Sequence, residues 1–159
     1  MEEELIKKRM IELASLINYH PKDISYLAKA MHCQIIHSEY DGKNRKNYTN
    51  DSLATLGDSI LKFVLADYLY DEGYDKFQIT KMKEKIENND FLYRLCLSTG
   101  IINYAYNDKY FFPEAPLECQ VYHAKHDVYI EAIIAAIYKD RGLEYCRQWI
   151  ISFFENLLI

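Results

Sequence analysis

Residues 53–65 read Leu-Ala-Thr-Leu-Gly-Asp-Ser-Ile-Leu-Lys-Phe-Val-Leu, an apolar helical pattern that contains one carboxylate, Asp58. A second apolar run, residues 128–138, contains Glu131 in the same way. A carboxylate among apolar residues has to be paired, protonated, at a wet edge or bound to a cation. We therefore expect these two acids to carry the chemistry of the chain. The alternative for each is a structural acid neutralised by a nearby Lys or Tyr.

The two apolar runs also carry small residues. Gly57 stands directly before Asp58, and Ala132, Ala135 and Ala136 follow Glu131. Residues with little or no side chain allow the backbones of two helices to approach each other closely. The sequence therefore predicts that the two acid-bearing helices pack side by side in the core.

Composition limits the class of protein. The chain has 159 residues, of which 50% are hydrophobic and 14% aromatic, which predicts a single globular domain over residues 1–159. A formal charge of -5 argues against coating nucleic acid by bulk electrostatics, so any contact with nucleic acid must be local. The four cysteines form no Cys-x-x-Cys pair, and no apolar run is long enough to cross a membrane. These features predict an intracellular, cytoplasmic protein without a membrane association.

Apolar residues recur at helical rather than alternating spacing, which predicts an all-α fold. We expect residues 41–47 to form a polar basic loop and residues 101–123 an irregular connection. The pattern predicts six helices. The first ends near Pro21, the second is capped by Asp23, and the third covers about residues 50–70. The fourth is capped by Thr80 and ended by Gly100, the fifth covers about residues 125–140, and the last follows Gly142.

Four segments of the chain resemble one known family. Residues 50–61, Asn-Asp-Ser-Leu-Ala-Thr-Leu-Gly-Asp-Ser-Ile-Leu, resemble the signature helix of ribonuclease III domains, which reads roughly Asn-Glu-Arg-Leu-Glu-Phe-Leu-Gly-Asp-Ser-Val-Leu. Residues 18–32, 86–92 and 129–140 match further family segments in the same order. The resemblance therefore covers nearly the whole chain. It implies the ribonuclease III helical fold, a homodimer, and cleavage of double-stranded RNA with magnesium, for which manganese is a possible substitute.

The resemblance also implies a set of metal-binding acids. Asp58 matches the aspartate of the first family motif, and Glu131 matches the glutamate of the second. Two further acids of the family are missing, because Ala54 and Val128 occupy their positions. Asp127 lies four residues before Glu131 and shares a helix face with it, so it either substitutes for the missing aspartate or leaves a site with two of four acids.

Other positions receive supporting roles from the resemblance. Asp51 stands where the family has a supporting glutamate, seven residues before Asp58 and on the same helix face. Thr55 replaces a phenylalanine that contacts the partner subunit, so we expect a weaker homodimer. Four cations stand shortly before the two acid-bearing helices, and from these positions we also expect them to contact RNA phosphates, with ordinary solvated charges as the alternative. These cations are Lys43, Arg45, Lys46 and Lys125.

Two functions remain open at this stage. One is a metal-dependent endoribonuclease in which Asp58 and Glu131 bind the ion, and the ion lowers the pKa of the attacking water. The other is a catalytically impaired relative that serves as an RNA-binding or assembly protein. The two acids favour the first function, whereas Ala54 and Val128 favour the second.

Overall fold

A computed structural model describes residues 1–115 and 128–155. Helices dominate this part of the chain, and a single two-stranded antiparallel sheet accompanies them. A short 3-10 helix, Ile101–Tyr104, follows the fifth helix. In chain order the elements are α1 (Glu3–Leu16), α2 (Ser25–Met31), β1 (Ile35–Tyr40), β2 (Lys43–Tyr48), α3 (Asp51–Asp71), α4 (Lys76–Glu87), α5 (Asn89–Ser98), α6 (Tyr129–Arg141) and α7 (Leu143–Phe154).

The core is built around α6. Its residues 129–137 are all buried, as expected for a helix that is apolar on every side. Helix α3 packs against α6 more extensively than any other element does, and α2 and α7 cover further sides of α6. The prediction of an all-α fold class with the two acid-bearing helices side by side is confirmed, and a small two-stranded sheet is added to it.

The segment predicted as a basic loop is instead half of a β-hairpin. Strands β1 and β2 pair from Ile35 opposite Tyr48 to Tyr40 opposite Lys43. The turn is Asp41-Gly42, and both residues have positive φ, 53° and 72°, as a two-residue type I′ hairpin turn requires. The prediction was wrong because β2 is almost entirely exposed and polar, so no apolar alternation marks it as a strand.

The helix predicted from Thr80 to Gly100 is in fact two helices. Helix α4 begins earlier, where the Asp75 carboxylate accepts the Gln78 amide at 2.9 Å and the Gln78 side chain accepts the Asp75 amide at 3.0 Å. This capping box satisfies two of the free amides at the helix start, so Thr80 lies inside the helix. Asn88 then starts α5 by accepting the Phe91 amide at 3.1 Å.

Several other predictions bear on the described residues. Asp23 accepts the Ser25 amide at 3.0 Å just before α2, but the N-cap residue of that helix is Ile24. Among the cysteines of the described ranges, Cys33, Cys96 and Cys146 are buried, as expected. No helix within residues 1–115 and 128–155 is long and apolar enough to cross a membrane.

Candidate functional site

Helices α3 and α6 touch through their backbones at Gly57. A Cβ atom built on Gly57 would lie 1.6 Å from the carbonyl oxygen of Glu131, far inside van der Waals contact. Only glycine therefore permits this helix crossing. Because Asp58 follows Gly57 and Glu131 supplies the opposing backbone, the crossing brings the two predicted acids to the same place.

Asp58 lies at the wet edge of this crossing. Its side chain is 37% exposed, and it accepts a hydrogen bond from the Lys62 ammonium at 2.9 Å. Lys62 follows four residues later on the same helix, at the spacing that allows side chains to pair. The sequence left open whether Asp58 is paired with a nearby lysine, and the structure shows such a pair with Lys62.

Glu131 is the buried member of the pair, with 6% of its surface exposed. It lies in the first turn of α6, where the helix dipole favours a negative charge. The pKa of Lys62 is raised, first by its hydrogen bond to Asp58 and the charge of that carboxylate, and further by the charges of Glu87 and Glu131. The charges that raise this pKa thus come from carboxylates on three helices.

Glu87, the last residue of α4, is the acid that the sequence did not indicate. Its side chain is 16% exposed, and the Lys83 ammonium lies 4.0 Å from its Oε1 atom. Burial raises the pKa of Glu87, and the charge of Asp58 adds to this, against the lowering effects of Lys83 and Lys62. Its place at the site depends on how α4 packs on α3, which spacing along the chain does not reveal. Lys62, in contrast, was detectable from its spacing to Asp58.

The two positions at which the resemblance implies further acids have apolar side chains. Ala54 and Val128 are 6% and 5% exposed, so apolar side chains fill these places. Asp127 and Lys125 lie outside the described residues. Within residues 1–115 and 128–155, no group of three or more His, Cys, Asp or Glu side chains is arranged to hold a metal ion.

Asp51 has a structural contact at the start of α3. Its carboxylate accepts the Tyr48 amide at 2.7 Å and so joins the end of the hairpin to the helix. Thr55, one turn further, is exposed, and its hydroxyl donates to the Asp51 carbonyl at 3.1 Å. The supporting role of Asp51 and the dimer role of Thr55 stay predictions.

The predicted RNA-binding cations of the hairpin do not share one surface. Lys43, Arg45 and Lys46 are all exposed on β2, but alternate residues of a strand point to opposite faces. Lys43 and Arg45 therefore lie on one face and Lys46 on the other. The Arg45 guanidinium lies 5.3 Å from the centre of the Tyr40 ring, on the face that it shares with Lys43.

The donor chemistry of Asp58 and Glu131 suits a divalent cation. Carboxylate oxygens are the ligands that Mg²⁺ and Mn²⁺ prefer, and Mg²⁺ often takes only one or two carboxylates because it keeps several waters. The two acids therefore fit such an ion, although Lys62 already holds Oδ2 of Asp58.

The structure is therefore that of a mostly helical domain in which two helices cross at Gly57 and each carries an acid. We call the place where Asp58 and Glu131 lie at this crossing the acidic centre. The Ribonuclease III domain family model matches residues 51–142 of this chain. The chain is also 31% identical to Ribonuclease 3 of Zunongwangia profunda over 146 residues, 88% of this chain and 55% of that protein. This protein belongs to the ribonuclease III domain family.

Further relatives agree with this placement. Ribonuclease 3 of Phocaeicola vulgatus is 28% identical over 152 residues, which cover 90% of this chain and 44% of that protein. The chain thus spans about half the length of these curated relatives. A crystal structure of the nuclease domain of ribonuclease III from Campylobacter jejuni matches the fold with a TM-score of 0.66 at 20% identity, over 92% of this chain and 93% of that chain.

Proposed function

We propose that this domain is a divalent-metal-dependent endoribonuclease that acts on double-stranded RNA. The observation that carries the proposal is the backbone contact between Gly57 and Glu131, because it brings Asp58 and Glu131 together at one helix crossing. These are the two acids expected to hold the metal. The similarity to proteins named Ribonuclease 3 supports the same activity.

In this proposal Asp58 and Glu131 hold the cation, with Asp127 and Asp51 as supporting acids. The bound cation supplies a water of lowered pKa and positive charge at the leaving oxygen. Ala54 and Val128 provide no carboxylate, so we expect the ion to be held more weakly than by a full set of acids. Manganese binds oxygen and nitrogen ligands more tightly than magnesium, so we expect it to support activity better.

We also propose a homodimer formed through the outer face of α3. Thr55, Ser59 and Phe63 are exposed at intervals of four residues and therefore share one face of the helix. The Phe63 side chain is 57% exposed and supplies an apolar contact that the small Thr55 does not. A Campylobacter jejuni ribonuclease III nuclease domain is described as having a region involved in dimer formation. Two-fold association requires such a self-complementary patch.

Sedimentation of the parent and of Phe63→Ser tests this dimer. We expect the parent to sediment as a dimer at tens of micromolar and Phe63→Ser to shift toward the monomer. Phe77→Ser is the matched control, since Phe77 is also exposed but lies on α4. A parent that remains monomeric with and without duplex RNA would contradict the proposal.

A second candidate function is an RNA-binding or assembly protein that has lost cleavage. The burial of apolar side chains at Ala54 and Val128 specifically favours it. In this case the domain still engages duplex RNA, with contacts from Lys43, Arg45, Lys46 and Lys125, but does not cut it.

Incubation with end-labelled duplex RNA in Mg²⁺ and in Mn²⁺ separates the two functions. We expect cleavage of duplex but not single-stranded RNA, faster in Mn²⁺, and lost in Asp58→Asn. Ala54→Glu with Val128→Asp should increase Mg²⁺-dependent cleavage. If the parent and the double variant both bind duplex RNA without cutting it, the endoribonuclease proposal fails and the RNA-binding function stands. Circular dichroism of each variant checks that its helices are intact.

A further inference from the structure

Lys62 occupies an unusual position at the acidic centre. Its ammonium donates to Oδ2 of Asp58 at 2.9 Å, and the charges of Glu87 and Glu131 further raise its pKa. These carboxylates belong to α3, α4 and α6. Lys62 pairs with an expected metal ligand, Asp58, whereas the Lys83 ammonium lies 4.0 Å from Glu87.

An ordinary surface ion pair does not account for this arrangement. An exposed pair four residues apart on a helix stabilises a protein little, because water screens both charges. Here the pair stands beside the helix crossing, where Gly57, next to Asp58, meets the backbone of Glu131, whose side chain is 6% exposed. Like charges close together repel each other, and burial of one of them strengthens that repulsion. A nearby positive charge relieves it, whether a metal ion or the protein supplies the charge.

We propose that the Lys62 ammonium is a built-in counter-cation of this centre, and that a divalent ion has to displace it from Asp58 in order to bind. The inference rests on the proposed function in one respect, which is that Asp58 and Glu131 are the metal ligands. It adds that metal occupancy is set by competition within the protein. With Ala54 and Val128 in place of two acids, this competition favours the lysine more than a full set of acids would.

Direct Mn²⁺ titration followed by electron paramagnetic resonance tests the competition without any RNA. Lys62→Met keeps an unbranched side chain of similar length and removes the charge. Because 51% of the Lys62 side chain is exposed to solvent, we expect this variant to fold. We expect Lys62→Met to bind Mn²⁺ at least about tenfold more tightly than the parent, which corresponds to about 1.4 kcal/mol. Lys62→Arg, which keeps the charge, should bind as weakly as the parent.

Two further variants make the result specific to this contact. Lys85→Met removes an exposed lysine of α4 and should leave Mn²⁺ affinity unchanged. Lys62→Met combined with Asp58→Asn should lose the gain, because the acid released by the first substitution is removed by the second. In the absence of metal we expect Lys62→Met to melt at a lower temperature than the parent and to regain the difference when Mn²⁺ is added.

Cleavage assays on the same proteins keep this inference separate from the proposed function. Equal Mn²⁺ affinity in the parent, Lys62→Met and Lys62→Arg overturns the counter-cation role, even if the parent cuts duplex RNA. Tighter Mn²⁺ binding by Lys62→Met with no cleavage by any variant supports the counter-cation role and contradicts the endoribonuclease proposal.

Discussion

Asp58 and Asp140 are both half-buried carboxylates on the central helix pair, yet their partners differ in kind. Asp140, near the end of α6, accepts the Lys22 and Asp23 amides at 2.9 Å each and also the Tyr19 hydroxyl. These donors are fixed parts of the segment that connects α1 to α2. Asp58 is held by the flexible ammonium of Lys62 on its own helix.

This difference separates a structural acid, whose donors are fixed, from an acid whose partner can be exchanged. The backbone amides that bind Asp140 stay beside it, because the path of the main chain fixes their positions. A lysine ammonium on a flexible four-carbon stem can leave Asp58 for solvent without any movement of the main chain. The nature of the donors, rather than the degree of burial, therefore distinguishes the two sites.

The largest expected effect concerns the crossing that positions Asp58. Gly57→Ala places a Cβ atom 1.6 Å from the Glu131 carbonyl oxygen, so α3 and α6 must move apart. We expect the free energy of unfolding to fall by more than about 4 kcal/mol, the range of severe core defects. Urea denaturation measures this, and Ser52→Ala, an exposed site in the first turn of the same helix and not among the residues proposed for the dimer contact, should stay within about 0.5 kcal/mol of the parent. A loss below 1 kcal/mol for Gly57→Ala, on the scale of an ordinary substitution, would show that the helices adjust freely.

The next largest effect is expected at Asp140. Asp140→Asn keeps the shape but removes the charge and one acceptor from the connection between α1 and α2. We expect a loss of about 2–3 kcal/mol, since hydrogen bonds to charged groups are the stronger ones. Glu84→Gln, at an exposed carboxylate of α4, is the control. Mn²⁺ affinity should not change in Asp140→Asn, and a large change would break the distinction between the two acids.

A pH series on Tyr19→Phe sharpens the structural side of the comparison. Burial, and then the hydrogen bond to Asp140, raise the pKa of Tyr19 above its ordinary value of 10.0. Because the folded pKa is raised, the stability that this tyrosine contributes is present below pH 10 and declines as the pH rises further. We expect Tyr19→Phe to lose about 1.5 kcal/mol at pH 7. The gap to the parent should narrow above pH 10, and a constant gap up to pH 11 would contradict the prediction.

The smallest stability effect is expected for Asp58→Asn. The pair with Lys62 is largely exposed, so thermal or urea unfolding should show a change of about 0.5 kcal/mol or less. The same variant should lose its Mn²⁺ response in the resonance titration. A stability loss as large as that of Asp140→Asn would make Asp58 a structural acid as well.

The sequence allowed the central features to be predicted because they depend on local patterns. Gly57, Asp58 and Glu131 stand within long apolar runs, and such runs at helical spacing indicate buried helices. Their packing follows from small residues on facing sides. Lys62 was also within reach, since its spacing from Asp58 is a standard helical pairing distance.

Other features were missed for identifiable physical reasons. The hairpin is stabilised by its Asp41-Gly42 turn and by backbone pairing, with few buried side chains that would mark its strands. The break between α4 and α5 depends on caps at Asp75 and Asn88, which compete with Thr80 as helix starts. Glu87 reaches the site only through the packing of α4 on α3, which no local pattern encodes.

The contact at Gly57 has a consequence for how this centre tolerates sequence change. Main-chain atoms, rather than interlocking side chains, set the separation of the two helices at the crossing. Replacement of a neighbouring side chain therefore changes which groups can bind a metal ion without moving helices α3 and α6. The resemblance implies that Ala54 and Val128 are such replacements. In this domain the set of acidic side chains can therefore change by substitution while the packing of the two helices stays the same.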